Sequence, residues 1–212
     1  MRPHDMLRLA GGAGLRYEGS VPAWVPASLA RASWVVVRRA RTPAGLIPIG
    51  VRGRARAERF AALLAPDAVA ARVTPEDLAA ARGWRNMPRA RRVGSLHVLD
   101  AVGELFASFG LAWGPTGSVG FELATGVAAA AAASDLDVVI RGPEPLPLET
   151  AQEIADKLKL LPTRVDAQLD VPAGAVMLAE YARGGRVLLR TPDGPRLTRD
   201  PWREAAIDLR SA

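Results

Sequence analysis

Residues 113–141 read WGPTGSVGFELATGVAAAAAASDLDVVIR, and the reading of this stretch decides the fold. Segment 111–114 has the composition of a short strand, Pro115-Thr116-Gly117-Ser118 turns the chain, and 119–123 predicts a short helix. An alanine-rich loop over 126–133 follows, and 135–141 (DLDVVIR) is a β-branched run that predicts a second strand. Asp135 and Asp137 stand two apart on that strand, so they share a face, with Cα atoms roughly 7 Å apart. Both carboxylates can then converge on one hard cation. Mg²⁺ takes one or two carboxylates and fills its remaining positions with substrate phosphate and water. Without a positive neighbour the two acids repel each other. Gly117-Ser118 lies at a strand-to-helix junction, where glycine lets the backbone approach a phosphate and the helix N-terminus favours an anion. Ser118 adds a hydroxyl. A glycine-serine pair alone is an ordinary turn; it acquires meaning beside the Asp-x-Asp strand.

Outward from this stretch, 164–171 (RVDAQLDV) predicts a third strand. Asp166 on it is placed to complete a metal site or to act as a base for an attacking hydroxyl. Asp170 shares the face of Asp166 by period-two counting and reads as a strand-end residue ahead of Pro172. Thr150 and Glu153 have capping-box spacing and open a predicted helix reaching 161. Segment 96–109 predicts an apolar-periodic helix, 175–183 another, and 186–191 a strand turned by Asp193-Gly194.

The front of the chain reads as strand 34–39, turn 42–45 and returning strand 46–51, with Pro48 demanding an edge or a bulge. Apolar residues over 55–64 fall at helical spacing. Thr74-Pro75-Glu76-Asp77 is a helix start: threonine cap, proline in the first turn, acids beside it. The polar, basic segment 82–92 is read as a linker. The expectation is an α+β protein of two domains, a basic one over 1–92 and a second over 93–212.

Charge supports the division. Residues 1–95 hold 17 arginines against 6 acids, a balance of +11, whereas the remainder holds 11 basic residues against 16 acids, a balance of −5. A basic half suits a polyanionic partner: nucleic acid, a phosphorylated small molecule or an acidic carrier protein. Nucleic acid is disfavoured, because the arginines do not alternate with aromatics as a stacking platform requires. With no cysteine among 212 residues, disulfides, thiolate metal sites and cysteine nucleophiles are excluded. No apolar run is long enough for a membrane span, and no secretory leader is read at the start, so a cytoplasmic location is expected. Of the two histidines, His97 lies on an apolar helix and reads as structural, and His4 has no evident partner. Trp84, in the basic linker, could stack on an adenine ring.

Gly117-Ser118, Asp135-x-Asp137 and Asp166 together resemble the polymerase-β-like nucleotidyltransferases, apart from a longer gap between Ser118 and Asp135. That gap, with residues 113–126 and Ser134-Asp135-Leu136-Asp137, is similar to the phosphoribosyl-dephospho-CoA transferases, also called malonate decarboxylase holo-acyl-carrier-protein synthases. Arg2-Pro3-His4-Asp5, Gly194-Pro195-Arg196-Leu197 and Asp200-Pro201-Trp202 share the likeness. The resemblance implies a catalytic domain over 93–212 built on a nucleotidyltransferase-like mixed sheet flanked by helices. It implies transfer of the phosphoribosyl-dephospho-CoA group from 2′-(5-triphosphoribosyl)-3′-dephospho-CoA to a serine of the apo acyl carrier protein subunit of malonate decarboxylase. Asp135, Asp137 and Asp166 would hold Mg²⁺ or Mn²⁺, and Gly117 and Ser118 would bind the leaving phosphates. Arg52, Arg54, Arg85, Arg89, Arg91 and Arg92 are candidates for donor or carrier contacts. A nucleotidyltransferase with another hydroxyl acceptor and a basic nucleic-acid-binding module remain as alternatives.

Overall fold

The computed structural model describes residues 1–11, 14–55 and 57–203. Arg56 in the predicted 55–64 element and the end of the predicted second domain, 204–212, lie outside the described residues.

Two sheets account for the α+β expectation. The first contains β1 (Met6–Leu9), β2 (Trp34–Val37), β3 (Ile47–Arg52), β4 (Arg59–Leu64) and β5 (Val69–Val73), in the order β4-β3-β2-β1-β5 with every pair antiparallel. One helix, α1 (Trp24–Arg31), covers it. Leu7, Val35, Ile49, Val51 and Leu64 form the core on that face.

Segment 55–64 corrects the helical reading. Its apolar residues fit a period of two as well as one of 3.6. Strand β3 offers a six-residue ladder from Ile47↔Leu64 to Arg52↔Arg59, and pairing along it wins. Pro48 is also reassigned, since β3 lies between β2 and β4 rather than at an edge. Its carbonyl accepts the Arg38 N–H at 2.8 Å, and its missing N–H falls where pairing with β2 ends, at Val37↔Ile49.

Helix α2 (Pro75–Ala81) follows, closed by the expected cap: Thr74 Oγ1 accepts the Asp77 N–H at 3.1 Å and Asp77 accepts the Thr74 N–H at 2.8 Å. The predicted linker is two 3₁₀ turns, Gly83–Asn86 and Pro88–Arg91, packed on the second core through Trp84, Met87 and Ala90. Trp84 is only 3% exposed and its Nε1 donates to Asp100, so it does not offer a face to a base ring. The predicted helix 96–109 divides into α3 (Gly94–His97) and α4 (Leu99–Ser108). His97 is exposed on the outer side, contrary to a structural role.

The second sheet is mixed. It runs β11-β10-β9-β8-β7-β6, where β6 is Trp113–Pro115, β7 Leu136–Arg141, β8 Val165–Val171, β9 Gly174–Met177, β10 Val187–Thr191 and β11 Gly194–Thr198. Helix α5 (Gly117–Thr125) links β6 to the alanine-rich loop, and α6 (Leu148–Lys159) is the crossover that lets β7 and β8 pair in parallel. Helix α6 begins ahead of the predicted capping box. Pro147 is its N-cap, no side chain caps it, and Thr150 lies inside the first turn. The predicted helix 175–183 begins instead as strand, since 175–177 belong to β9, and is helical only over α7 (Leu178–Tyr181). Leu99, Phe106, Val138, Ile140, Ile154 and Leu169 make the core between this sheet and its helices.

Candidate functional site

Alternation places the acids. On β7, Leu136 and Val138 are buried in the core, which turns Asp137 outward. On β8, Ala167, Leu169 and Val171 point inward, so Asp166, Gln168 and Asp170 share the opposite face. The parallel register then pairs Asp137 with Asp166, and Asp135 precedes Leu136 at the same end. At a strand spacing of about 4.8 Å, two carboxylates repel by roughly 3 kcal/mol at an effective dielectric of 20. A positive group therefore belongs among them.

Arg164 provides that charge. Its Nε donates to Asp166 Oδ1 at 2.9 Å. The hydrogen bond to Asp166 and then the charge of Asp166 raise its pKa, with Asp135 and Asp137 adding to the effect. The guanidinium thus stands within electrostatic reach of all three predicted carboxylates. Among the described residues, no three acidic or histidine side chains are gathered closely enough around one point to hold a metal ion. The chemistry of the donor set still fits a hard cation: oxygen ligands from a common face, with an exposed arginine in the position of counter-charge.

Gly117 closes the site from above. It begins α5 with φ 59°, and a Cβ there would lie 2.9 Å from the Asp137 carboxyl carbon. No side chain larger than hydrogen fits between the helix N-terminus and that carboxylate. Thr116 fixes the turn, its N–H donating to the Asp137 carbonyl at 2.8 Å.

Gly117, Asp137 and Asp166 line a cleft of about 620 Å³ between the two sheets. Ser118 and Asp135 are half-buried beside it and are not part of its lining. The facing wall is the side of the first sheet away from α1, with Trp34, Val36, Gly50 and Ala61 flanked by Arg38, Arg52 and Arg59. Loss of water and then the neighbouring Arg59 push the Arg52 guanidinium pKa down, while Asp137 across the cleft opposes this.

Of the six arginine candidates, Arg52 alone lines the cleft. Arg85 bonds Asp100, and Arg89 donates to Glu122 at 2.9 Å and to the Ala130 carbonyl at 2.7 Å. Arg54, Arg91 and Arg92 are exposed. Glu122 is 1% exposed and also accepts the N–H groups of Ala129 and Ala130, each at 2.9 Å. The long gap between Ser118 and Asp135 is therefore an anchored loop.

Arg38, Arg59, Arg164 and Gln168 are not singled out by the sequence, and His4, read there as having no evident partner, has one. For Arg164 the signal was present: it lies two residues before Asp166, on the same strand face. His4 had none. It sits at φ 75° with Nε2 2.9 Å from the Gln168 amide nitrogen. An amide N–H can only donate, so the imidazole accepts and is neutral. Its pKa falls to about 4, chiefly through removal from water; Asp170 opposes the fall, and Arg39 and Arg141 reinforce it. Asp170 is more than a strand end: it pairs with Arg39 from the first sheet and with Arg141 at 2.7 Å. Arg141 also reaches Glu76 at 2.8 Å, which binds Arg2 at 2.7 Å. The N-terminal Arg2-Pro3-His4-Asp5 stretch is thereby tied to the second sheet.

The chain is an α+β protein with a cleft between two sheets, and comparison with known proteins supplies the class. Family models for phosphoribosyl-dephospho-CoA transferase MdcG match residues 2–75 with the N-terminal domain and 80–201 with the C-terminal domain. The chain belongs to this family. A phosphoribosyl-dephospho-CoA transferase from Pseudomonas putida is 43% identical over 202 residues, covering 95% of each chain. One from Azotobacter vinelandii is 41% identical over 206 residues, covering 97% of this chain and 96% of its own. One from Pseudomonas aeruginosa is 41% identical over 208 residues, covering 97% of this chain and 96% of its own. No solved structure matches. No described helix is long and apolar enough to cross a membrane.

Proposed function

We propose that this protein transfers the phosphoribosyl-dephospho-CoA group from 2′-(5-triphosphoribosyl)-3′-dephospho-CoA to a serine of the apo acyl carrier protein subunit of malonate decarboxylase, with release of diphosphate. The observation that carries the reading is the pairing of Asp137 with Asp166 directly beneath the bare N-terminus of α5 at Gly117. Curated relatives spanning the whole chain carry the transferase name.

The residues divide the work as follows. Gly117 and Ser118 present backbone N–H groups and a hydroxyl to the β- and γ-phosphates, where the helix dipole favours negative charge. Asp135, Asp137 and Asp166 are the oxygen ligands for Mg²⁺ or Mn²⁺, which when bound neutralises phosphate charge and the departing diphosphate. The carrier serine Oγ attacks the α-phosphorus. The bond from that phosphorus to the oxygen bridging to the β-phosphate breaks, and diphosphate leaves with the electron pair. Asp166 lies at the rim of the same face and accepts the serine proton. Arg164, which donates to Asp166, supplies positive charge beside the phosphates. Catalysis is mainly positioning and charge neutralisation, as in other phosphoryl transfers.

The test is intact-protein mass spectrometry of the apo carrier after incubation with enzyme, Mg²⁺ and donor, beside an Asp135→Asn/Asp137→Asn control and an ATP control. The carrier should gain the prosthetic-group mass with wild type only. No mass gain, with ATP consumed and diphosphate released instead, would remove the carrier and donor assignment and leave a nucleotidyltransferase of another acceptor.

A further inference from the structure

The structure sorts the arginines of this chain into two sets. One set is neutralised in place: Arg2 by Glu76, Arg39 and Arg141 by Asp170, Arg72 by Asp5, Arg85 by Asp100, Arg89 by Glu122 and Arg164 by Asp166. The other set includes Arg38, Arg52 and Arg59, which share one wall of the cleft and, among the described residues, have no carboxylate bound to them. The hydrogen bond of Arg59 goes to the backbone carbonyl of Glu58. Arg52 is pushed down in pKa by loss of water and then by Arg59, with Asp137 across the cleft opposing, so the arginines crowd one another on this wall. Nearby, Arg31 Nε is buried with no partner.

The floor between these arginines is made of small residues. Gly50 on β3 and Ala61 on β4 are register partners, and both line the cleft. The Arg38 side chain lies directly over Gly50, where a Cβ would come 3.2 Å from Arg38 Cδ. Guanidinium groups gathered beside a floor of small residues leave room for an anion between them. Beside it, Met6, Trp34 and Val36 form an apolar strip on the same sheet face.

The donor named above carries two anionic segments. Its triphosphate has a place at Gly117 and the three carboxylates, on the opposite wall. Its second segment is the diphosphate joining adenosine to pantetheine, held apart from the triphosphate by two ribose rings. Resting on the donor assignment made above, we propose that Arg38, Arg52 and Arg59 bind that diphosphate, and that the first sheet thereby selects a dephospho-CoA derivative over an ordinary nucleoside triphosphate. ATP fills the triphosphate site alone and leaves this wall without a ligand. The adenine of the true donor rests on the strip containing Trp34.

Calorimetric titration of the full-length protein separates the two walls. Dephospho-CoA, which has the diphosphate and no triphosphate, is titrated in EDTA; inorganic tripolyphosphate is titrated with Mg²⁺. Arg38→Gln/Arg52→Gln should weaken dephospho-CoA binding about tenfold or more, since two charge-assisted contacts are lost. The same variant should change tripolyphosphate binding less than about twofold. Asp137→Asn should show the reverse pattern. Arg59→Gln, on the exposed end of edge strand β4, serves as a second variant where the double change lowers the melting temperature. Wild type that fails to bind dephospho-CoA overturns the proposal. So do arginine variants that lose tripolyphosphate while keeping dephospho-CoA. Transfer to the carrier is not read, so failure of that reaction would remove the proposed acceptor and leave this binding result intact.

Discussion

Asp137 on β7 and Asp166 on β8 are register partners across a parallel strand pair, and Arg164 donates to Asp166 at 2.9 Å within reach of both. A set of carboxylates that shares one counter-charge acts as a unit. Asp137→Asn and Asp166→Asn should each lower the transfer rate roughly 10²- to 10³-fold, a loss of about 3–4 kcal/mol of transition-state stabilisation. The double variant should be little slower than either single one. Single-turnover transfer measured by carrier mass reads all three, and additive losses would show that the two acids act independently.

Gly117 tests the approach of α5 to the acids. Gly117→Ala puts a methyl against the Asp137 carboxylate and an L-residue at φ 59°. Backbone strain should cost about 1 kcal/mol of stability. Activity should fall far more, by about a hundredfold or beyond, because the carboxylate must turn away from the phosphates. A thermal melt beside the transfer assay separates the two effects. Equal, modest losses in both would reduce Gly117 to a turn residue.

Acid sensitivity should come from His4. Its native pKa of about 4 lies below the ordinary 6.5, so between those values the unfolded chain binds a proton that the native state refuses. Stability from this group is complete above about pH 6.5, declines as pH falls and reaches its floor below about pH 4. The amplitude is on the order of 2 kcal/mol, given that the ring is partly exposed. His4→Asn tolerates the positive φ and should flatten the dependence of urea midpoint on pH across this window. An unchanged slope would assign the acid limb to other groups.

Glu122 should matter more to stability than any exposed acid. Its carboxylate is buried and holds the N–H groups of Ala129 and Ala130 together with Arg89. Glu122→Ala leaves the Arg89 charge and two N–H donors without partners, at a cost of about 3–5 kcal/mol. The melting temperature should fall by roughly 10 °C. Asp156→Ala, at an exposed helix pair with Lys159, should change it by no more than about 1–2 °C. Similar effects for both would mean that the loop is not anchored through Glu122.

Local signals carried the second sheet a long way. Asp135 and Asp137 on a β-branched run, Asp166 on another and Gly117 at a turn were legible because strand alternation is a property of neighbouring residues. The helix start at Thr74 was equally local, since its cap spans only four residues. The reading failed where two periods fit the same residues. Segment 55–64 suits a helix until β3 supplies a ladder, and 175–183 suits one until β8 and β10 take β9 between them.

By itself, the sequence determined an α+β chain, the residue types of the proposed site and which acids share a strand face. Only the tertiary structure decided the rest. Register alone, set by the α6 crossover, brings Asp166 opposite Asp137 rather than Asp170. Packing of the two sheets alone distinguishes arginines neutralised at the interface from those lining the cleft. It also gives His4 its partner on a strand 164 residues away. Such contacts depend on distances between chain segments remote in sequence, and no pattern of neighbouring residues encodes a distance of that kind.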